Sequence, residues 1–253
     1  MHDTIAKHCD QLNRCNQRGG RMLSVFDLLA AETLDLDLAA YLMARISTGS
    51  SFMVGSVPGG AGKTTVMCAL LNFLPVDVPL IAATPEAVYE AANANVSPRA
   101  CYVCHEIGSG YYFAYLWAEE LRAYCGLFEH GHMLATNLHA DTLEQAKMQV
   151  CNTNSVPGEH FNKFELLIFL RIENRYLNAK RRVEGVYSGD GSSGQKLIFR
   201  VNDKISLDEN AEHYLANPEY VNACRDFLTN ISPDVRTIED TRQRVVEFLN
   251  GIK

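Results

Sequence analysis

The chain has 253 residues, of which 47% are hydrophobic, so it can bury a sizeable core. Its formal net charge of −7 excludes a global basic field, and no nucleic-acid partner is expected. The amino terminus lacks a signal-peptide pattern, and no apolar run approaches the ~20 residues that cross a bilayer. We therefore expect a cytoplasmic protein.

The first 74 residues are predicted to form four helices, with one short strand before the last of them. A frayed helix over the first twenty residues is expected to end at a double glycine. Helical apolar spacing then marks Ser24–Leu34, with Ser24 as the amino-terminal cap, and Asp37–Gly49. The apolar segment 50–56 is typical of a strand. It leads through a glycine-rich turn to a further helix, Lys63–Leu74.

Strands then alternate with helices, which predicts a mainly parallel sheet with helices on both faces. The predicted strands are Val78–Thr84, 100–105 and His132–Leu138, and the predicted helices are 85–95, Tyr111–Phe128 and Ala140–Cys151. We interpret the aromatic segment 111–128 as a core helix in which Trp117 and several tyrosines are buried. A docking face for a partner is the alternative.

Beyond residue 160 the pattern changes to antiparallel β-structure and then to helices. Apolar strand patterns cover 164–172, 179–188 and 195–201, and the basic stretch 178–183 is interpreted as a solvated turn between strands. The tail from Asp208 is predicted to be helical. These changes divide the chain into an amino-terminal helical segment (1–32), a core (33–205) and a carboxyl-terminal helical segment (206–253).

A phosphate-binding loop is predicted between the strand at 50–56 and the helix that begins at Lys63. Glycines at 59, 60 and 62 permit a turn whose N–H groups point inward at an anion. Lys63 would reach the outer phosphates, and the Thr64 hydroxyl would bind Mg²⁺. Val57 replaces the first glycine of the formal motif, and a loop that merely joins strand to helix is the alternative. The predicted nucleotide-binding residues are Pro58, Gly59, Gly60, Ala61, Gly62, Lys63, Thr64 and Thr65.

The stretch CYVCHEIGSG, residues 101–110, has two incompatible interpretations. Cys101, Cys104 and His105 match the C-x-x-C-H pattern of covalent haem attachment, which normally occurs outside the cytoplasm. A zinc site would need a second cysteine pair, which the remaining cysteines do not form. Alternatively the stretch is a buried strand that brings Glu106 to the phosphate loop, as a general base and a water-mediated Mg²⁺ ligand. The adjacent loop favours the strand, so neither haem nor zinc is expected.

From about Thr33 to Val201 the chain resembles the motor ATPases of type II and type IV secretion and pilus systems, a RecA-like branch of the P-loop NTPases. Three blocks carry the resemblance: residues 33–65, 101–110, and the histidine-containing stretch HGHMLATNLHADTLEQA at 130–146. The resemblance implies a RecA-like P-loop core, ATP hydrolysis with Mg²⁺, and a homo-oligomeric ring, usually a hexamer. It also implies membrane-embedded secretion or pilus partners, with the chain peripheral at the inner face of the membrane.

The resemblance further implies that His139 senses the γ-phosphate at the end of its strand, and a histidine that is only locally hydrogen-bonded is the alternative. His132 is expected to pack locally. In a ring, an arginine from a neighbouring subunit would stabilise transition-state charge. The candidates for that arginine, which spacing does not rank, are Arg99, Arg122, Arg181 and Arg182.

The sequence departs from the family pattern at several positions. Ala83 and Thr84 stand where two carboxylates are usual, and Glu86 is a candidate substitute. Gly108-Ser109 replaces an arginine–aspartate pair, and His105 replaces a glycine. The large amino-terminal domain of the family has no counterpart in the thirty-odd residues that precede the resemblance. Two alternatives to a motor ATPase therefore remain: a nucleotide-binding scaffold or regulator with little hydrolysis, and a small-molecule kinase that shares only the P-loop.

Overall fold

An eight-stranded sheet organises the part of the chain that the computed structural model describes, which is residues 2–16, 19–94, 98–173, 179–201, 207–209, 211–232 and 234–252. Most of the strands are apolar and buried, as expected for a sheet that is covered on both faces. The strands are β1 (Phe52–Gly55), β2 (Leu80–Ala82), β3 (Cys101–Ile107), β4 (Tyr115–Leu116), β5 (Met133–Leu138), β6 (Leu166–Glu173), β7 (Lys180–Gly189) and β8 (Gln195–Arg200).

The strand order is β2-β3-β5-β1-β6-β7-β8. The first five of these strands run parallel, and β6, β7 and β8 pair antiparallel, which confirms the predicted combination of parallel and antiparallel strands. The short β4 pairs parallel with the end of β3 at Glu106 and Ile107, beyond the point where β2 stops. The carboxyl ends of β1, β3 and β5 therefore meet at one edge of the sheet.

Helices cover both faces of the sheet, as predicted. One apolar layer contains residues of the first four helices and the last two, and a second layer, on the opposite face, contains residues of the four helices between them. The helices are α1 (His2–Arg14), α2 (Val25–Ala30), α3 (Leu36–Ser47), α4 (Lys63–Leu71), α5 (Pro85–Asn93), α6 (Ala118–Gly126), α7 (Leu143–Lys147), α8 (Gly158–Asn162), α9 (Pro218–Asn230) and α10 (Ile238–Gly251).

Side-chain caps fix the start of several helices. The predicted cap at Ser24 is confirmed, because its hydroxyl accepts from the backbone N–H of Asp27 while the Asp27 carboxylate accepts from the Ser24 backbone. Asp35 caps α3 by accepting from the backbone N–H of Leu38, and Thr84 caps α5 by accepting from that of Ala87. A cap satisfies N–H groups that the helix leaves unpaired, so these short polar residues determine where the elements begin.

The predicted aromatic helix over Tyr111–Phe128 is wrong in its first half. Residues 111–113 are exposed, β4 follows, and α6 begins only at Ala118. Ala114 has a positive φ angle, which interrupts a right-handed helix before α6 begins. Trp117 is half-buried rather than part of the core, whereas Tyr124 in α6 is fully buried.

Two further differences concern the ends of the chain and the basic stretch. The first helix ends at Arg14, well before the double glycine. Residues 180–183 belong to β7 and are not a turn, while residue 178 lies outside the described residues. The segment boundary at 32/33 stays a prediction, and the boundary at 205/206 falls outside the described residues. Across the described ranges, no helix combines the length and the apolar character that a membrane span requires.

Candidate nucleotide-binding site

The loop between β1 and α4 has the geometry of an anion cradle. Gly60 and Gly62 have φ angles of 81° and 94°, in the left-handed region that glycine adopts without steric cost. Gly59 has open space where a Cβ would stand, and α4 begins directly after the loop at Lys63. The free N–H groups of the first turn of α4 therefore adjoin the loop.

The amino-terminal flank of the loop is held by the segment that follows β5. A Cβ on Gly55 would lie 2.5 Å from the carbonyl oxygen of Ala140, so only glycine permits this close approach. The backbone N–H of Val57 donates to Oδ1 of Asp141 at 2.7 Å. Val57 does not have a positive φ, so its backbone does not require the glycine that the formal motif has at this position. Val57 is also 48% exposed, so there is room for its side chain.

Lys63, Glu106 and His139, which the sequence predicted separately, lie together beside this loop. Lys63 Nζ is 3.3 Å from Glu106 Oε1, and His139 Nε2 is 3.5 Å from the same oxygen. Lys63 also donates to the carbonyl oxygen of Ser56 at 3.1 Å, and its Nζ lies 3.4 Å from His139 Nδ1. Lys63 and Glu106 are buried, whereas about half of the His139 side chain is exposed.

Two buried oxygens at this cluster lack hydrogen-bond partners among the described residues. One is Oε1 of Glu106, whose contact with Lys63 is electrostatic but lacks hydrogen-bond geometry, and the other is the Ser56 hydroxyl. Buried polar atoms are nearly always hydrogen-bonded in native proteins, to protein, water or ligand. The open glycine loop therefore fits an anionic ligand, and the two oxygens fit water bound beside it.

Asn137, near the end of β5, connects the predicted magnesium ligand to the Glu106 strand. Its Nδ2 donates to the carbonyl oxygen of His105 at 2.8 Å and to the Thr64 hydroxyl at 3.4 Å. Asn137 is fully buried, and its Oδ1 has no hydrogen-bond partner among the described residues. Sequence analysis missed Asn137, although an asparagine in an otherwise apolar strand that ends at this edge is a usable signal.

The carboxylates that the family places after β2 have no equivalent here. Ala83 is fully buried in the apolar layer, and the Thr84 hydroxyl accepts from the backbone N–H of Ala87 as the cap of α5. Glu86 is exposed in the first turn of α5 and makes no hydrogen bond or ion pair with a described residue. The described part of the chain therefore brings one carboxylate, Glu106, to Lys63.

The C-x-x-C-H pattern does not form a haem site. Cys101 packs into the apolar layer on one face of β3, and Cys104 packs into the layer on the opposite face. Two sulfurs on opposite faces of one strand cannot attach to a single porphyrin. His105 is buried and contacts Cys15, with 3.0 Å between Nε2 and Sγ. The strand interpretation of residues 101–107 is correct.

His132 packs locally, as the sequence predicted. Its Nδ1 accepts from the backbone N–H of Ala100 at 3.2 Å, and its ring meets the edge of Tyr102 with 5.0 Å between the centroids. Burial lowers the pKa of His132. This histidine holds the start of β5 against β3 and lies at the opposite end of both strands from Lys63.

No protein-family model matches this sequence, and no curated protein matches it significantly. Solved structures match it in fold. The VirB11 ATPase from the Brucella suis type IV secretion system, in complex with sulphate, is 16% identical, with a TM-score of 0.44, covering 65% of this chain and 54% of that chain. The Legionella pneumophila ATPase DotB is 13% identical, with a TM-score of 0.41, covering 87% of this chain and 57% of that chain.

Part of this chain is similar in fold to part of each of these two ATPases. This chain spans just over half the length of either structure, and the likeness is one of fold alone. The strand order is RecA-like, because β5 lies between the loop-bearing strand β1 and the Glu106 strand β3.

The four candidate arginines occupy different places around this core. Arg99 donates to the carbonyl oxygen of Gly49 and Arg122 to that of Asn154. Arg182 pairs with Glu32, 3.3 Å away. Arg181 alone of the four contacts the glycine loop, through the carbonyl oxygen of Gly60. Sequence analysis ranked none of the four, because the contact depends on how β7 is placed in the sheet.

Proposed function

We propose that this chain binds ATP with Mg²⁺ and hydrolyses it, as a motor-type ATPase like those its sequence resembles. The observation that carries the proposal is the convergence of Lys63, Glu106 and His139 at one glycine loop. A loop that only joined a strand to a helix would not need a buried lysine and a buried glutamate beside it, because burying charge is costly.

Each residue has a distinct role in this proposal. The backbone N–H groups of residues 59–65 and the Lys63 ammonium bind the phosphates, while Pro58, which has no N–H, restricts the start of the loop. The Thr64 hydroxyl would hold Mg²⁺, and Glu106 would hold it through water. When bound, Mg²⁺ would neutralise negative charge that develops on the phosphates during hydrolysis. Asn137 positions the Thr64 hydroxyl, to which its side chain donates.

Glu106 is the proposed general base. Its buried Oε1 can accept a hydrogen bond from an attacking water, and such a base contributes roughly 10²–10⁴-fold to the rate. His139 lies within 3.5 Å of both charged groups, and its backbone leads directly to Asp141 and α7. We propose that His139 responds to the γ-phosphate and passes that response to α7.

A nucleotide-binding scaffold with little hydrolysis is the second candidate function. It is favoured by Ala83, which is buried, and by Thr84, whose hydroxyl is engaged as a helix cap. With one carboxylate rather than three near Lys63, Mg²⁺ and the attacking water would be held less firmly. Binding of ATP would then persist while turnover stays low.

The test is a comparison of ATP binding and phosphate release among wild type, Lys63→Ala and Glu106→Gln. We expect Lys63→Ala to lose ATP binding, because the charge that reaches the outer phosphates is removed. We expect Glu106→Gln to bind ATP like wild type and to release phosphate at least 10²-fold more slowly. Lys147→Ala and Glu86→Gln, at exposed positions, are the matched controls and should behave as wild type.

The outcomes separate the candidate functions. Equal turnover in wild type and Glu106→Gln would remove Glu106 from the mechanism. ATP binding by wild type without phosphate release would establish the scaffold instead. Phosphate transfer that requires an added hydroxyl compound would indicate a small-molecule kinase. A wild-type protein that does not bind ATP would contradict all three.

We also propose that the chain works as a homo-oligomeric ring, with six subunits as the resemblance implies. Membrane-embedded proteins of a secretion or pilus system are the proposed partners, and the cytoplasmic face of the membrane is the proposed location. The support is the sequence resemblance, since it is a ring that turns local hydrolysis into movement of an assembly.

A further inference from the structure

Arg181 reaches from β7 to the glycine loop of its own chain. Its Nε donates to the carbonyl oxygen of Gly60 at 2.8 Å. Its Cδ lies 3.3 Å from the point where a Cβ on Gly62 would stand, so the side chain packs against the loop between Gly60 and Gly62. The sheet explains this reach, because β7 is separated from β1 only by β6.

The guanidinium of Arg181 has unused capacity to bind an anion. Arginine carries five N–H donors in a planar fork, and the Nε donor alone is used by Gly60. Arg181 is exposed, and no described residue accepts a hydrogen bond from its two Nη groups. The neighbouring Arg182 differs, because it is engaged by Glu32 at 3.3 Å and Glu173 at 3.6 Å.

The charge balance of the loop supports a second cation. A nucleoside triphosphate carries several negative charges, whereas Lys63 is within 3.3 Å of the Glu106 carboxylate, which offsets its charge. The whole chain is also acidic, with a net charge of −7. Arg181 brings a further full positive charge to the loop, in the planar form that matches phosphate oxygens.

We propose that Arg181 is a phosphate-binding residue of the nucleotide site, supplied within the same chain. Its Nε keeps the loop tip at Gly60 in place, and its Nη groups donate to the phosphate chain of the bound nucleotide. The inference rests on the proposed function, because it assigns a further residue to the same site. It makes Arg181 a residue that acts without a neighbouring subunit.

The test measures binding of two probes, ATPγS with Mg²⁺ and inorganic tripolyphosphate with Mg²⁺, by calorimetry. The variants are Arg181→Ala, Arg181→Gln and the matched control Arg182→Gln. Glutamine keeps an N–H donor for Gly60 but has no charge, so it separates loop support from phosphate binding. We expect Arg181→Ala and Arg181→Gln to bind both probes about 10- to 100-fold more weakly, which is the loss of one charge-assisted hydrogen bond. Arg182→Gln should bind as wild type.

Three other results would contradict the phosphate-binding role of Arg181. If Arg181→Gln binds both probes as tightly as wild type while Arg181→Ala does not, the residue only supports the loop and the inference is wrong. Weaker binding of ATPγS with unchanged binding of tripolyphosphate would also overturn it, because the contact would then be to the base or ribose. If wild type binds neither probe, the proposed function fails as well, so the two failures are distinguishable. Thermal unfolding of each variant verifies that it is folded.

Discussion

At the scale of single residues, a buried contact between Cys15 and His105 joins the end of the first helix to the strand that carries Glu106. Cys15 follows α1, and its sulfur lies 3.0 Å from Nε2 of His105, the residue before Glu106. Hydrogen bonds with the thiol of Cys68, in α4, and with His105 lower the pKa of Cys15 to about 6, although burial acts in the opposite direction. Cys15 lies between the strand of Glu106 and the helix of Lys63, and the lowered pKa favours its thiolate form.

The lowered pKa predicts a pH dependence of stability. The pKa of the Cys15 thiol is 9.0 in the unfolded chain and about 6 in the folded protein. The stabilisation that the ionised thiol contributes to the folded state is therefore complete above pH 9 and is lost as the pH falls through 6. We expect the free energy of unfolding of wild type, relative to Cys15→Ser, to rise between pH 6 and pH 9. Urea unfolding under reducing conditions measures this difference.

Cys224→Ser is the matched control for that prediction. Burial raises the pKa of Cys224 to about 12, so its thiol is neutral in the folded protein throughout the range. The stability difference between wild type and Cys224→Ser should not rise from pH 6 to pH 9. A flat difference for Cys15→Ser as well would mean that Cys15 is an ordinary buried thiol.

The sequence located the central residues of the candidate site but not the residues that support them. Lys63 could be identified because it begins a helix directly after a glycine-rich turn, and Glu106 because it lies near the end of a predicted strand. The carboxyl ends of parallel strands lie close together, so the two residues could be expected to meet. Asn137, Asp141 and Arg181 could not be identified, because each acts through a contact with a distant loop or strand. The chemical roles of all these residues remain predictions.

At the scale of elements, the last helix supports the helix that carries Lys63. Arg242 in α10 is buried and donates to the carbonyl oxygens of Asn72 at 2.9 Å, Leu74 at 2.6 Å and Pro75 at 3.2 Å. These carbonyls lie directly beyond α4, where a helix leaves its last acceptors unpaired. A positive charge at this end also complements the helix dipole.

We therefore predict a large loss of stability in Arg242→Met. Methionine fills much of the space but leaves buried carbonyl oxygens without donors, at a cost of about 3 kcal/mol in the free energy of unfolding. Urea unfolding measures the change. Arg244→Met, on the same helix but in an exposed pair with Glu247, should change it by less than about 0.5 kcal/mol. Equal effects of the two substitutions would contradict the capping role of Arg242.

The element that sequence patterns predicted worst is the segment that contacts the end of β3. Residues 111–117 have the aromatic content of a core helix, yet β4 forms there by pairing with Glu106 and Ile107. The amide N–H of Ala118 is then held by the side chain of Asn154, at 2.7 Å, which fixes the start of α6. Both contacts join residues far apart in sequence, so local periodicity contains no signal for them.

At the scale of the whole molecule, the sheet order decides where the site lies. β1 is flanked by β5 and β6, and the connection from β1 passes through α4 to β2 on the far side of β3. Ligands of open α/β sheets bind beyond the carboxyl ends of the strands, where neighbouring connections diverge. The alternation of strands and helices predicted the parallel sheet, but the order of the strands follows from crossovers that sequence patterns do not encode.

The proposed ring predicts a mass that depends on nucleotide. Glu106→Gln, in which ATP is expected to stay bound, should assemble with MgATP into a species of about six times the 28.2 kDa chain. If the assembly binds ATP more tightly than the single chain does, ATP favours the assembly through mass action. Light scattering coupled to size exclusion, at several protein concentrations, measures the mass.

Lys63→Ala separates assembly driven by ATP from assembly driven by protein concentration. This variant should remain small with MgATP, because it is expected not to bind the nucleotide, whereas Arg182→Gln should assemble like its parent when combined with Glu106→Gln. A single-chain mass for Glu106→Gln at every ATP concentration would contradict the ring. Hydrolysis would then depend on residues of one chain alone. Arg181, which contacts the loop of its own chain, would have to supply the positive charge that a neighbouring subunit provides in a ring.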